Sequence, residues 1–138
     1  MNVLSATVFR IQRQDSLCLF ELDASGIPMY MLLFDPDSSV SEGCRVNVLF
    51  KETEVSIANS SSTQTTILNS FPAIIRKIRT GRILADIGLQ SAAGSIQSII
   101  TMIALENLQL RENDTVTVLI KASQLSLETI PENRSCDS

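Results

Sequence analysis

Within this chain one strand plan is written twice, and that duplication restricts the fold more than any other feature of the sequence. Residues 45–57 (RVNVLFKETEVSI) laid over residues 115–127 (TVTVLIKASQLSL) agree at five of thirteen positions, and Lys51 falls on Lys121. The fronts of the two halves superpose as well. Residues 2–23 over 69–90 match at Asn2/Asn69, Ala6/Ala73, Ile11/Ile78, Leu17/Leu84 and Leu22/Leu89, and Gly26 then falls on Gly94. The offset drifts from 67 to 70 through the middle, as happens when loops vary in length around a fixed set of strands. Two small modules in tandem are expected. Each, at about 60 residues, is close to the lower limit for a self-sufficient core, so the two should lean on each other.

Short alternating or apolar stretches closed by turn residues predict five strands per copy. In the first copy they cover residues 3–12, 17–23, 27–34, 45–50 and 53–58; in the second, 73–79, 83–90, 95–101, 115–121 and 123–127. Between the third and fourth strands of the second copy, residues 102–110 (MIALENLQL) have helix-like apolar spacing and predict one short helix. The first copy has Asp35 and Pro36 at that point, which favour a turn. The expected fold class is all-β: two tandem OB-like five-stranded Greek-key barrels, the second with a short helix between strands 3 and 4. The expected division is a first, degenerate repeat over 1–58, a polar linker over 59–66, a second repeat over 67–127 and a flexible tail over 128–138.

Composition narrows the function. A net charge of −4 weighs against general nucleic-acid binding, which needs clustered cations on phosphates, and one Tyr and five Phe form no base-stacking series. No apolar run approaches the roughly 20 residues that cross a bilayer, and the polar, charged start is unlike a secretory signal. There is no histidine. Its absence excludes the Ser-His-Asp, Cys-His and ordinary zinc-hydrolase schemes, so no catalytic residue is assigned and a non-enzyme is expected. Cys18, Cys44 and Cys136 are odd in number and lack CxxC spacing, which argues against a disulfide framework and against zinc; a reducing cytoplasm fits, with Cys18 as a small core residue.

One pattern carries chemistry. Ile120-Lys121-Ala122-Ser123 closes a strand with a cation, a small residue and a hydroxyl. A tetrahedral dianion offers only acceptors, so it needs ammonium, hydroxyl and backbone N–H donors at close range and no facing acid. Side-chain metal ligation is not required. Lys51 and Thr53 are the matching candidates in the first copy, but Glu52 and Glu54 accompany them. Arg76 belongs to a run of four basic residues over 76–82, which otherwise reads as a solvated hairpin whose charges block edge pairing.

The order of these residues resembles a known family. Asn69-Ser70-Phe71-Pro72 with the basic run, Ile96–Thr101, and then Leu108-Gln-Leu, a turn and Val116-Thr-Val-Leu-Ile-Lys-Ala-Ser123 are similar to the molybdenum-pterin-binding (Mop) or TOBE domain. The likeness spans the second copy, and paired copies resemble the di-Mop arrangement of stand-alone molybdate-binding proteins. What the resemblance implies is molybdate or tungstate as ligand, no covalent cofactor, and a site made where one subunit's strand end meets another's. A homodimer or trimer is therefore expected. Its implied ligand residues are Lys121, Ala122 and Ser123, with Thr66 and Asn69 from the family's Ser-Ala-Arg-Asn segment and Ser70 directly after it. Here that segment reads Thr66-Ile67-Leu68-Asn69, with a leucine in place of the bidentate arginine. Two functions follow: storage, buffering or homeostasis of the oxyanion, or a degenerate pair serving as a protein-interaction or regulatory module of a molybdate transporter or cofactor pathway.

Overall fold

The computed structural model describes residues 1–36, 39–59 and 64–130. Ten strands and one helix follow in chain order: β1 (Asn2–Gln14), β2 (Leu17–Ala24), β3 (Ile27–Phe34), β4 (Arg45–Phe50), β5 (Ser56–Ala58), β6 (Asn69–Thr80), β7 (Leu84–Ser91), β8 (Gly94–Thr101), α1 (Met102–Leu108), β9 (Thr115–Ile120) and β10 (Ser126–Thr129). They form two five-stranded antiparallel sheets. Strict alternation makes them: in β1 the side chains of Leu4, Ala6 and Val8 are buried while Val3 and Ser5 face out, and in β6 Phe71, Ala73 and Ile75 repeat the pattern.

Hairpin chemistry joins the strands. Ser25 and Gly26 both have positive φ, at 53° and 92°, as a two-residue hairpin with the mirror-image type I turn requires. The helix is the one expected between the third and fourth strands of the second copy. The Thr101 hydroxyl starts it by accepting from the Ala104 N–H at 3.0 Å, and Gln109 at φ 52° ends it two residues earlier than the apolar spacing suggested. Both long strands carry an irregularity at matching positions, between Val8 and Arg10 and between Ile75 and Lys77.

The sheets are not the two copies taken separately. Their strand orders are β10-β4-β1-β2-β3 and β5-β9-β6-β7-β8, so each copy surrenders its short last strand to the other copy's sheet. The two exchanges share one register: Ser126 pairs with Leu49 and Leu127 with Val48, while Ser56 pairs with Leu119 and Ile57 with Val118. Five strands per copy were legible in the sequence, but their cross-pairing was not, because hydrophobic alternation states which face a strand buries and not which neighbour it joins. The front of each expected last strand is a turn of 3-10 helix, over Glu52–Glu54 and Ala122–Gln124. β10 also runs through Glu128 and Thr129, into the segment expected as tail, and the Glu128 carboxylate accepts from Asn47 Nδ2 at 2.9 Å.

A single apolar core joins both sheets, with Phe20, Phe50, Met29 and Met31 from one and Ile75, Ile87, Ile96 and Ile120 from the other among its fully buried members. Each such side chain contributes about 1.5–3 kcal/mol relative to exposure, and exchange lets two undersized modules share that gain. Cys18 is a buried free thiol. Cys44 is equally buried but disulfide-bonded. Cys136 and residues 60–63 of the expected linker lie outside the described residues. No helix among the described residues is long and apolar enough to cross a membrane.

Candidate functional site

The lysine-bearing strand ends are built alike in the two copies. β9 closes on buried Ile120, the backbone stays extended at Lys121 (φ −65°, ψ 143°), and Gln124 N–H then donates to the Lys121 carbonyl at 3.0 Å to form the turn. β4 closes on buried Phe50, Lys51 is extended (φ −77°, ψ 150°), and Glu54 N–H donates to the Lys51 carbonyl at 3.0 Å. Leu125 and Val55, both buried at 3% exposure, anchor the far sides. The 121–125 turn packs on β3 and the 51–55 turn on β8, so each sits against the other copy's third strand. The Ser98 hydroxyl fixes the second contact by donating to the Val55 carbonyl at 2.8 Å, fully buried.

Beside each turn stands an asparagine that sequence reasoning placed only in part. Asn69, 0% exposed, pairs with Ile120 across the β6–β9 ladder, and its carboxamide accepts from the Tyr30 N–H at 2.7 Å and donates to the Tyr30 carbonyl at 2.9 Å. Asn2 does the same to Gln97, at 2.8 Å in both directions. Each carboxamide thus acts as one extra rung against a third strand that would otherwise present a bare backbone pair in a part-buried joint. Asn69 enters the sequence reading as an anion ligand; its side chain is engaged in this bridge. The recurrence of asparagine at positions 2 and 69 was the available signal, since a buried amide repeated at the start of both long strands implies one repeated buried partner.

Of the remaining candidates, Ser70 pairs with Leu119 one rung along and is exposed. Lys121 and Ser123 are exposed and Ala122 is half-buried, so the ammonium, the hydroxyl and the turn share one end of the sheet with Asn69 and Ser70. Thr66 is exposed ahead of β6. Arg76 lies seven residues up β6 from Asn69, roughly 23 Å away at strand rise, so it stands apart from this group. Lys51 and Thr53 occupy the other turn.

Charge separates the two turns. The Glu54 carboxylate accepts from the Lys51 N–H at 3.0 Å, and the Glu52 carboxylate pairs with the Met1 ammonium at 2.5 Å. That ammonium, together with a backbone hydrogen bond, holds Glu52 below the ordinary carboxylate range. Two acidic side chains therefore occupy the donor side of the first turn. The second has Ala122, Ser123 and Gln124 in their places and no acid. Among the described residues no three His, Cys, Asp or Glu side chains are grouped to hold a metal ion.

Residues 65–127, the second copy, match the TOBE domain family. The whole fold of the chain is that of ModG: it superposes on the cytoplasmic molybdate-binding protein ModG, in a crystal form with molybdate bound, over 94% of this chain and 96% of that one, at a TM-score of 0.88 and 21% identity. A molybdate-binding protein from Sporomusa ovata aligns with 44% of this chain and 90% of its own, at 27% identity and a TM-score of 0.42. No curated protein matches in sequence.

Proposed function

We propose that this protein binds molybdate or tungstate, without chemical turnover, to store or buffer the oxyanion in the cytoplasm. The observation that carries the reading is the acid-free strand end at Lys121, Ala122 and Ser123 on a fold shared with molybdate-bound ModG. Lys121 supplies charge, Ser123 a hydroxyl, Ala122 close backbone approach, and the start of β6 at Thr66, Asn69 and Ser70 further donors from the main chain and hydroxyls. A charge-assisted hydrogen bond contributes about 1.5–3 kcal/mol, so four to six of them support micromolar affinity, about −8 kcal/mol, after ordering and desolvation. The exposure of Lys121 and Ser123 suits a site completed by a second subunit, in a homodimer or trimer. Lys51 and Thr53 form no equivalent site while Glu52 and Glu54 stand beside them.

Titration calorimetry with molybdate, tungstate and sulfate tests this. Saturable heat with the first two is expected; none at millimolar anion removes the function. A second reading, a pair that docks a transporter or a cofactor-pathway enzyme in place of the anion, draws on Leu68, which is 55% exposed where the family has arginine. Retention of such a partner by Lys121→Ala with no anion present favours it.

A further inference from the structure

The outer face of the second sheet has a gap that the first sheet fills with a carboxylate. At the repeat offset of 67, the rung Arg10–Glu21–Tyr30 across β1, β2 and β3 corresponds to Lys77–Gly88–Gln97 across β6, β7 and β8. The next rung, Gln12–Leu19–Leu32, corresponds to Arg79–Asp86–Ile99. In the first copy Glu21 is held from two sides, by Arg10 Nε at 2.5 Å and Gln12 Nε2 at 3.0 Å, and those bonds keep its carboxyl below the ordinary range. In the second copy the carboxylate is missing because position 88 is glycine, while Lys77 keeps the charge of Arg10 and Arg79 adds a second cation in the place of Gln12.

What remains is a recess of about 240 Å³ lined by Lys77, Arg79, Asp86, Gly88 and Gln97. Among the described residues, neither the Lys77 nor the Arg79 side chain has a hydrogen bond or ion pair. Asp86 Oδ1 is buried with no hydrogen-bond partner, an acceptor left without a donor. The floor is fixed, since Asn2 of the first copy grips the backbone of Gln97 in both directions. The other nearby acid, Glu112, accepts from the Ile78 N–H at 3.2 Å.

We infer that this recess is a receptor for a small carboxylate bearing a hydroxyl or ammonium group. The ligand's carboxylate takes the place that Glu21 fills in the first copy, between Lys77 and Arg79, and its donor meets Asp86 Oδ1. Two cations facing one acid leave room for one added negative charge. The volume lies below the roughly 300–1,000 Å³ of pockets for drug-sized molecules, which restricts the ligand to a few heavy atoms. The site is separate from the Lys121 turn, and neither reading depends on the other.

Backbone amide shifts of Lys77, Gly88 and Gln97, followed by NMR on the full chain during titration with glycolate, glycine, acetate, chloride and molybdate, test the inference. Saturable shifts are expected with glycolate or glycine, at least tenfold weaker ones with acetate, which lacks the donor, and none with chloride. Gly88→Glu restores the internal carboxylate. A Cβ at Gly88 meets only ordinary contacts, Gln97 Nε2 at 3.5 Å and Lys77 Cβ at 3.6 Å, so this variant is expected to fold and to lose the shifts at Lys77 and Gln97. Lys77→Ala is expected to weaken binding tenfold or more, and Gln14→Ala, at the exposed end of β1, to leave it unchanged. The inference is overturned by absence of saturation with both glycolate and glycine, by equal response to chloride, by saturation with molybdate alone, or by undiminished binding in Gly88→Glu and Lys77→Ala.

Discussion

The KETEV turn and the KASQL turn have nearly the same backbone and opposite chemistry. Both leave a buried strand end through an extended lysine, make one turn of 3-10 helix and lock onto the other repeat's third strand. In the first the donors face Glu54 and, through Glu52, the chain's own ammonium; in the second they face solvent. The difference teaches that the scaffold and the charge it carries are separable. Interlocking uses the asparagine, the buried Leu or Val and the exchanged strand, which both repeats keep, whereas the proposed binding of a dianion needs a turn without acid, which the second repeat has.

The comparison is broken most severely by attacking what the repeats share. Asn69→Ala leaves the Tyr30 N–H and carbonyl without partners in a part-buried joint, and at about 1–3 kcal/mol for each unsatisfied group, towards the lower end where water reaches Tyr30, it should destabilise the fold by about 2–4 kcal/mol in denaturant melts. Asn2→Ala, at a site 6% exposed against 0% for Asn69, should cost less because water reaches the vacated groups more readily. Equal and negligible losses would show that the paired bridges do not hold the repeats together.

Next in size is the effect on the anion. Lys121→Ala should weaken molybdate binding by roughly 10- to 100-fold, the worth of one charge-assisted bond at about 1.5–3 kcal/mol, while Lys51→Ala should leave it within a factor of two or so. Calorimetry on the two variants side by side reads this directly. Sharpening the comparison runs the other way: the double change Glu52→Ala, Glu54→Gln removes the acids from the first turn, and a second, weaker anion site per chain is expected in the same titration. Unchanged stoichiometry would mean that charge alone does not separate the turns.

The smallest effect is on acid stability. Glu21 and Glu52 are both depressed below the ordinary value of 4.5, Glu21 by the side chains of Arg10 and Gln12 and Glu52 by the Met1 ammonium. A depressed folded-state pKa means that the stability from these groups is complete above the unfolded value and is lost as pH falls below about 4.5 through the folded one. Both side chains keep part of their surface in water, 16% for Glu21 and 33% for Glu52, so screening keeps the contribution small. Arg10→Ala should flatten the acid limb of the melting profile slightly and leave the neutral plateau almost unmoved.

Much of the architecture was legible because it rests on local rules. Alternation fixed the strands of β1 and β6, turn residues placed the hairpins, and MIALENLQL marked the helix. Strand exchange was invisible, because Ser56-Ile57-Ala58 and Ser126-Leu127 carry no information about which edge accepts them. The strand end at Lys121 was legible from four residues in order, but the commitment of the Asn69 carboxamide to Tyr30 was not, since a sequence states a donor without stating its partner. The recess over Gly88 was missed for a related reason. Its signal was a glycine standing where the other copy has Glu21, and that correspondence acquires meaning only once the rungs are aligned in space.

The account rests on an oxyanion held at the Lys121 turn, and anion-titrated thermal melts test it most directly. Molybdate at about 100 times its dissociation constant should stabilise the wild-type protein by about 2.7 kcal/mol, Lys51→Ala should gain as much, and Lys121→Ala should gain far less at the same concentration. A wild-type protein that responds to molybdate no more than to sulfate, or a Lys121→Ala variant that keeps the whole gain, contradicts it.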